Sequence, residues 1–349
     1  MENHSTIEQP VLDVQNLEVT FNVARGAAKI ITGVNFTLQP REILALVGET
    51  GSGKSVTAKS ILDLIPSNRK QTSGRVYFDG MDLLTLKDKM LTQIRGSRIG
   101  MIFQNPQACI NPVFTLGEQI FRLVRLYLND EIANIQKNDG VNAKEAVRRI
   151  ARNRLREVGL SESDRLFKSY ASEISGGMAQ RFMIAQALLA SPEILIADEA
   201  TSALDVTVQA RILKLLKELS RKHETAILFI THDLGIAAQV CDRVAVMYSG
   251  SIVEVGETRS IFKNPSHPYT QGLLKAVPQP GRKKKLSFVP GIIPDLVTPP
   301  KGCRFQPRCS QAKEICMQVR PENYTVAKSH SVSCFLYQSE NQAGEKKVS

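Results

Sequence analysis

The chain has 349 residues and a formal net charge of +11 at pH 7, so a single hydrophobic core is not expected to account for all of it. Hydrophobic residues make up 42% of the chain, but no apolar run approaches the roughly 18 residues of a membrane-spanning helix. The polar opening Met1–Ser5 lacks a signal sequence, so we expect a cytosolic protein. The basic cluster Arg148–Arg156 predicts a solvated helix face, and we expect no nucleic-acid partner.

Apolar runs that alternate with helix-like segments predict an α/β core with a mainly parallel sheet. From Pro106 to Leu189 the chain is helical and charged, which predicts an inserted helical lobe. After Gly256 the composition shifts to Pro, Lys and Cys, which predicts a linker and a small tail domain. One predicted helix covers Val208–Arg221. The predicted strands are Val11–Phe21, Val34–Leu38, Ile43–Val47, Arg75–Phe78, Ile99–Phe103, Ile194–Ala197, Ala226–Ile230, Arg243–Met247 and Ile252–Val255.

The loop after the third predicted strand has the pattern G-x-x-x-x-G-K-S. Its glycines let the backbone turn tightly and direct N–H groups at phosphate oxygens. The predicted helix Val56–Ile65 follows, and the N-terminus of a helix favours bound anions. Lys54 is placed to reach the terminal phosphates and Ser55 to bind Mg²⁺. The predicted nucleotide-binding residues of this segment are Gly48, Glu49, Thr50, Gly51, Ser52, Gly53, Lys54, Ser55 and Val56.

Two adjacent carboxylates follow the predicted strand Ile194–Ala197. Asp198 can hold Mg²⁺ through its water shell, and Glu199 can orient and deprotonate an attacking water. His232 also follows an apolar strand, where its side chain could meet the γ-phosphate. The alternative for each is an ordinary polar residue at the start of an exposed loop, and the phosphate loop favours the functional interpretation.

A serine–glycine–glycine turn at Ser175–Gly177 lies between the phosphate loop and the two carboxylates. Hydrolysis within one subunit does not need this turn. It has a use where two such ATPases face each other. The sequence therefore predicts a motor subunit of a larger assembly.

These motifs, in this order, resemble the ATP-binding subunit of an ABC transporter over about Val11 to Gly256. The resemblance implies that Glu199 is the catalytic base, that Gln104 of the Q-loop assists catalysis and binds Mg²⁺, and that His232 is the switch histidine. It also implies that Phe21 stacks on adenine. The residues that it places against the nucleotide of a partner subunit are Ser175, Gly176, Gly177, Gln180 and Asp205.

The resemblance implies an α/β fold with a RecA-like P-loop ATPase core, an antiparallel β subdomain and an inserted α-helical subdomain. A small Cys-rich C-terminal extension completes the expected architecture. The expected boundaries are residues 1–105 and 187–255 for the ATP-binding core, 106–186 for the helical subdomain with the signature loop, and 256–349 for the extension.

Further segments, at 103–112, 264–270 and 290–303, are similar to those of dipeptide, oligopeptide and nickel importers. The resemblance implies an ATPase that drives uptake of short peptides or a related small solute from the cytoplasmic face of the inner membrane, as a peripheral protein. It implies a second ATP-binding subunit, expected to be a sibling in a heterodimer, two transmembrane permeases and an extracytoplasmic solute-binding protein. The alternatives are an ABC-type ATPase of DNA repair or translation, and the motor of an exporter.

Four cysteines of the tail have the spacing C-x₅-C-x₆-C-x₁₇-C. Disulfides are unusual in a cytosolic protein, so the cluster predicts a metal site that holds a small, loop-rich segment together. Zinc is an alternative, although its sites commonly contain paired C-x₂-C ligands. The resemblance to the importers implies a [4Fe–4S] cluster. The predicted ligands are Cys303, Cys309, Cys316 and Cys334, whereas the isolated Cys109 and Cys241 are predicted to be small buried or half-buried residues.

Overall fold

The structure is a computed structural model, and it describes residues 9–66, 70–201, 205–277 and 288–338. Its strands are β1 Leu12–Val23, β2 Gly26–Leu38, β3 Ile43–Val47, β4 Lys70–Phe78, β5 Met81–Asp82, β6 Ile99–Ile102, β7 Ile194–Asp198, β8 Ala226–Thr231, β9 Arg243–Tyr248, β10 Ser251–Glu257, β11 Tyr324–Ala327 and β12 His330–Val332.

Helices lie between many of these strands. They are α1 Lys54–Ile61, α2 Asp88–Ile94, α3 Pro106–Cys109, α4 Leu116–Tyr127, α5 Asn129–Asp139, α6 Ala143–Glu157, α7 Ser163–Leu166, α8 Gly176–Ala187, α9 Val206–His223, α10 Leu234–Val240, α11 Thr258–Lys263, α12 Pro268–Ala276 and α13 Ile315–Gln318. Over the described ranges, none of the helices is both long and apolar enough to cross a membrane.

The chain forms two compact units, Met1–Leu86 with Leu228–Ser349, and Lys87–Ile227. In the first unit, an antiparallel sheet has the order β2-β1-β4-β5, and the strands β11-β12-β10-β9-β3-β8 are neighbours in a second sheet. β3 pairs with β9 in parallel, and all five of its residues are buried. Such an unbroken apolar run is typical of a strand covered on both faces.

The second unit is mostly helical. β6 and β7 pair in parallel, with Ile102 opposite Ala197, and the helices α3 to α8 lie between them in the chain. Local capping fixes several of these helices. At the start of α4, for example, Thr115 and Glu118 form a reciprocal capping box. The predicted absence of strands between residues 106 and 189 is confirmed.

The strand predictions match the structure closely where apolar residues run without interruption, as in β3, whose bounds are the predicted ones. The strand predicted at Val34–Leu38 is much longer, because β2 begins at Gly26 and pairs with β1 from a tight turn onward. The expected tail domain also contributes to a core sheet. β12 pairs with β10 through Glu254 and Val255, so the tail extends the sheet that contains β3.

Candidate functional site

The phosphate loop follows the buried strand β3 and leads directly into α1. Glycine is required at Gly48 by a close backbone contact and is favoured at Gly53 by the backbone conformation. A Cβ atom at Gly48 would lie 2.1 Å from the carbonyl oxygen of Met247, and one at Gly53 would lie 2.7 Å from Cδ1 of Ile31. Gly53 also has φ +107°, a value that L side chains rarely adopt. The loop is therefore pressed against β9 and β2, with its shape fixed by the surrounding backbone.

Lys54 is bound to its own loop. Its ammonium donates to the carbonyl oxygens of Gly48 (2.8 Å) and Glu49 (3.0 Å), and the residue is 5% exposed. The first turn of α1 contains no acidic residue, so the partial positive charge of the helix N-terminus is not offset locally. Backbone N–H groups, this charge and the ammonium together form a cradle suited to phosphate oxygens.

Two other predicted site residues belong to the same unit. Phe21 is half-buried on β1, opposite Ala28 of β2 and Lys70 of β4. His232 is exposed directly after β8. The next residue, Asp233, caps α10 by accepting from the backbone N–H groups of Gly235 (2.7 Å) and Ile236 (3.2 Å). The cap fixes the chain immediately after His232.

In the second unit, the structure brings together Gln104 and Glu199, which are 95 positions apart in the sequence. Gln104 lies just beyond β6 and Glu199 just beyond β7. Because these neighbouring strands are parallel, their ends reach the same edge of the sheet. Gln104 Nε2 donates to Glu199 Oε2 at 2.8 Å. Two residues predicted to act on one reaction therefore share a hydrogen bond.

Glu199 also has an unusual backbone conformation, with φ +47°. Non-glycine residues are uncommon in this region, and such strain is often found at functional sites. The preceding residue, Asp198, is the last of β7 and is only 2% exposed. Its carboxylate and the amide oxygen of Gln104 are oxygen ligands of the kind that Mg²⁺ prefers, and Ser55 in the first unit offers a hydroxyl of the same kind.

The signature turn, defined as Ser175–Gly177, begins helix α8. Ser175 caps the helix, with its Oγ accepting from the backbone N–H of Met178 at 3.3 Å. Ser175 and Gly176 are exposed, and a Cβ atom at Gly176 would meet nothing within 4 Å. A Cβ atom at Gly177 would lie 3.3 Å from Cγ1 of Val208. The turn therefore presents a backbone surface to its surroundings.

The other residues predicted to act on a partner's nucleotide have different environments. Gln180 is 1% exposed on the buried face of α8, so it does not present its side chain to a partner in this conformation. Asp205 caps α9, with Oδ1 accepting from the backbone N–H groups of Thr207 (3.1 Å) and Val208 (3.0 Å). The rest of the predicted D-loop, residues 202–204, lies outside the described residues.

All four tail cysteines line one cavity. The cavity has about 350 Å³ of space between atoms, its open side included, and His267, Phe305 and Phe335 also line it. A Cβ atom at Gly302 would lie 2.3 Å from the carbonyl oxygen of Cys316, so the cysteine loops are closely packed. In the described part of the chain, no three His, Cys, Asp or Glu side chains are grouped closely enough for a single metal ion.

Backbone N–H groups point at the sulfur atoms. Lys313 N donates to Cys316 Sγ at 3.4 Å. Burial raises the pKa of the Cys303 thiol to about 11, while hydrogen bonds from the backbone of Phe305 and Gln306 act in the opposite direction. Burial likewise raises the pKa values of Cys309 and Cys334, and backbone hydrogen bonds partly offset this effect. Such N–H···S contacts are among those that stabilise thiolate-bound iron–sulfur clusters.

Sequence reasoning missed a second layer of residues around the phosphate loop. Arg308 of the tail forms a bidentate ion pair with Glu49, with N–O distances of 2.7 and 3.0 Å. Tyr269 of α12 accepts from the backbone N–H of Glu49 at 2.9 Å. The position of Arg308 beside Cys309 was the only signal in the sequence, and it did not identify Glu49 as the partner.

A glycine-rich phosphate cradle lies in one unit and a glutamine–glutamate pair in the other, and both are features of an ATP-hydrolysing protein. A model of the ABC transporter family matches residues 31–202, and a model of the oligopeptide/dipeptide transporter C-terminal region matches residues 253–316. The chain belongs to the ABC transporter family, and within that family it is an ATP-hydrolysing subunit.

The chain is similar to curated proteins over nearly its full length. It is 44% identical to the dipeptide transport ATP-binding protein DppD of Bacillus subtilis, over 94% of this chain and 95% of that protein. It is also 44% identical to the oligopeptide transport ATP-binding protein OppD of Salmonella typhimurium, over 89% of each. Among solved structures, it is similar to the ATP-binding cassette MJ0796 in a dimeric post-hydrolysis state bound to ADP and Pi. That likeness has a TM-score of 0.60 at 27% identity, over 71% of this chain and 99% of that one.

Proposed function

We propose that this chain is the ATP-hydrolysing subunit of a membrane importer for short peptides or a related small solute. The observation that carries the proposal is the joint match of the cassette and of the C-terminal region. Relatives named as dipeptide and oligopeptide transport ATP-binding proteins align with 94% and 93% of the chain. A nucleic-acid ATPase or an exporter motor would need the cassette but gives no reason for this tail.

Within the subunit, the phosphate loop from Gly48 to Val56 binds the phosphates of ATP, and Lys54 neutralises their charge. Ser55, Gln104 and Asp198 hold Mg²⁺, which would supply positive charge at the phosphate oxygens when bound. Glu199 takes the proton of the attacking water. Its hydrogen bond to Gln104 supports this role, because the amide fixes the direction of the carboxylate. Phe21 stacks on the adenine, and His232 contacts the γ-phosphate.

The signature turn binds the nucleotide of a second ATP-binding subunit. Its exposure, and the open space at Gly176, support this role. The dimeric state of MJ0796 with ADP and Pi is an example of a cassette pair. Asp205 lies at the partner interface, where it orders the start of α9. We propose a sibling subunit as the partner, and Gln180 as a residue that supports the turn from the buried side of α8 rather than by direct contact.

The four tail cysteines hold a [4Fe–4S] cluster. Each of the four irons in such a cluster takes one thiolate, so the ligands surround a volume instead of one point. The cavity that all four cysteines line supports one group shared by the four thiols, and the spacing, which lacks the paired C-x₂-C ligands common in zinc sites, favours the cluster. When bound, the cluster would supply a redox-active cross-link between separate loops of the tail.

The assembly contains two transmembrane permeases and an extracytoplasmic solute-binding protein, and this subunit lies at the cytoplasmic face of the inner membrane. The test is reconstitution of the chain with its permeases and sibling in proteoliposomes. Addition of peptide-loaded binding protein should stimulate ATP hydrolysis and move peptide toward the side of the ATPase. Movement of solute away from that side would instead identify an exporter, and stimulation by DNA or ribosomes would identify the other alternative.

A separate experiment tests the cluster. Protein purified without oxygen should be brown and contain about four irons per chain. Cys309→Ser should bleach the protein and make the tail sensitive to protease. Cys241→Ser is the matched control, because Cys241 is buried elsewhere and does not line the cysteine cavity. Colourless anaerobic protein with one zinc per chain would overturn the cluster assignment.

A further inference from the structure

The cysteine tail contacts the phosphate loop through a charged side chain. Arg308 donates from Nη1 to Glu49 Oε2 (2.7 Å) and from Nη2 to Glu49 Oε1 (3.0 Å). Its side chain is 4% exposed, whereas that of Glu49 is 28% exposed. A bidentate arginine–carboxylate pair has a defined geometry as well as a favourable energy. The second residue of the phosphate loop is therefore fixed by a residue of the tail.

Arg308 is itself held in one orientation. Nε donates to the carbonyl oxygen of Pro290 at 2.8 Å, and Nη2 donates to that of Val289 at 2.9 Å. The guanidinium also lies over the ring of Tyr248, 5.6 Å from its centroid. These partners leave the arginine little rotamer freedom. Because Arg308 is fixed, the Glu49 side chain that it binds is fixed as well.

Two further contacts reach the phosphate loop from outside. Tyr269 accepts the backbone N–H of Glu49 at 2.9 Å. Its ring lies 5.4 Å from that of Phe305, centroid to centroid. The backbone N–H of Gly250 donates to Ser52 at 2.8 Å, and the carbonyl of the preceding residue, Ser249, accepts from buried Arg304. Residues of the tail therefore contact the loop directly at Glu49, and Arg304 supports the Ser249–Gly250 turn that contacts Ser52.

Two of these supporting residues, Arg304 and Arg308, belong to the segment that carries the first two cysteines. Between Cys303 and Cys309 the chain makes consecutive turns, with hydrogen bonds from Gln306 N to Cys303 O (3.0 Å) and from Cys309 N to Gln306 O (3.2 Å). Arg308 precedes Cys309 directly, and Phe305 lines the cysteine cavity. A rearrangement of this short turn would displace Arg308 and Phe305 together.

We propose that the Cys303–Cys309 turn acts as a latch, meaning that it holds the phosphate loop in its ATP-binding conformation. Arg308 is the positioning residue of this latch. Through Arg308, the state of the cysteine cavity is coupled to ATP affinity. The inference rests on the proposed role of the loop in binding ATP. Arg308 acts in two ways. It fixes the loop backbone through Glu49, and it neutralises a carboxylate that would otherwise repel the phosphates.

The test measures binding of a non-hydrolysable ATP analogue with Mg²⁺ to the purified full chain by calorimetry. Arg308→Gln should weaken binding about tenfold, which corresponds to about 1.4 kcal/mol. The matched control is Arg243→Gln. Arg243 pairs with Glu42 at 3.0 Å, at the opposite end of β3 from the phosphate loop, and its loss should leave affinity within about twofold of the parent. Affinity of Arg308→Gln within twofold of the parent overturns the latch.

A double variant separates this role from general tail stability. Because the carboxylate is repulsive once it is unpaired, Arg308→Gln with Glu49→Gln should regain much of the affinity lost by Arg308→Gln alone. If the double variant instead loses as much affinity as the two single variants together, Arg308→Gln acts only by destabilising the tail. Glu49→Gln alone leaves the tail sequence intact, so it replaces Arg308→Gln in the test if that variant does not fold. If Glu49→Gln changes neither ATP affinity nor the protease resistance of the tail, the result counts against the latch. Lys54→Ala is the reference for the site itself, and undiminished binding there would refute the proposed nucleotide site, whatever Arg308 does.

Coupling between two sites is reciprocal, which provides a measurement that does not depend on activity. In chain stripped of iron, the ATP analogue should slow alkylation of Cys309 by iodoacetamide. The slowing should disappear in Arg308→Gln. Equal slowing in the parent and in the variant would overturn the proposed route through Arg308.

Discussion

The phosphate loop and the signature turn are both glycine-rich starts of helices, but their surroundings differ. Around the phosphate loop, a Cβ at Gly48 would strike backbone, Lys54 is bound to two loop carbonyls, and Glu49 is held by Arg308. At the signature turn, Ser175 and Gly176 are exposed, and Gly176 has open space at its Cβ position. The first region is completed by its own chain, whereas the second leaves space that the proposed partner subunit would fill.

This difference explains why the two regions should respond differently to substitution. A preorganised cradle loses ligand affinity when one of its own contacts is removed. An exposed turn can be altered without harm to the subunit and then fails only in the assembly. The predictions below examine this comparison, from the largest expected effect to the smallest.

Glu199→Gln is expected to have the largest effect, because it removes the proposed base and keeps the size of the side chain. Hydrolysis should fall roughly 10³-fold, while ATP binding is retained and a closed dimer accumulates. The hydrogen bond from Gln104 should survive, since a glutamine oxygen can also accept it. Phosphate release and ATP binding, measured on the same preparation, check the result. Turnover at the parent rate would show that another group activates the water.

Lys54→Ala tests the cradle. It removes the charge next to the terminal phosphates and also two hydrogen bonds to the loop carbonyls of Gly48 and Glu49. ATP affinity should fall about 100-fold, or about 3 kcal/mol. Lys59→Ala, on the last turn of the same helix, is the matched control and should bind ATP normally. If both variants bind alike, Lys54 serves the fold rather than the nucleotide.

The sequence predicted these site members from local patterns but did not predict most of their contacts. β3 was predictable to the residue because a wholly buried strand is an unbroken apolar run. The first half of β2 was not, since glycines and alanines, which have low strand propensity, flank its short apolar pair Ile30–Ile31, and the segment becomes a strand by pairing with β1. The Arg308–Glu49 pair joins positions 259 apart, and local periodicity contains no information on such a contact.

Gly176→Asp tests the signature turn. The new side chain has room within the subunit, and an acidic residue in the first turn of α8 suits the helix dipole, so the monomer should fold and bind ATP normally. A carboxylate facing the partner's phosphates should weaken ATP-driven dimerisation roughly fiftyfold. Gly177 is less suitable, because its Cβ would lie 3.3 Å from Val208.

Analytical ultracentrifugation of the Glu199→Gln background, with and without Gly176→Asp, measures this dimerisation. Ser172→Asp, on the exposed turn just before, is the control for added charge. Loss of ATP binding by the Gly176→Asp monomer would place the turn in the subunit's own site and remove the contrast between the two regions.

The smallest expected effect concerns how far the support of the cradle extends into the tail. Glu254 of β10 is 1% exposed and accepts from the backbone N–H groups of Ser266 (2.6 Å) and His267 (2.9 Å). It also lies 2.8 Å from Nε2 of His330 on β12. It thereby fixes both the tail strand and the start of α12, which carries Tyr269, the acceptor of the Glu49 N–H.

Glu254→Gln should destabilise this region by about 2 kcal/mol, because charge-assisted hydrogen bonds become neutral ones. Burial alone would raise the pKa of Glu254, but the hydrogen bonds from His330, Ser266 and His267 more than offset this effect, so the pKa is lowered from its ordinary value. A lowered pKa contributes stability that is complete above the ordinary value and is lost as the pH falls through the folded value. The difference between parent and variant should therefore narrow as the pH falls below the ordinary glutamate pKa of 4.5. Hydrogen exchange of the β12 amides measures the local opening free energy. If the difference in opening free energy between parent and variant instead grows as the pH falls, Glu254 is protonated in the folded protein and its hydrogen bonds are those of a neutral carboxyl group.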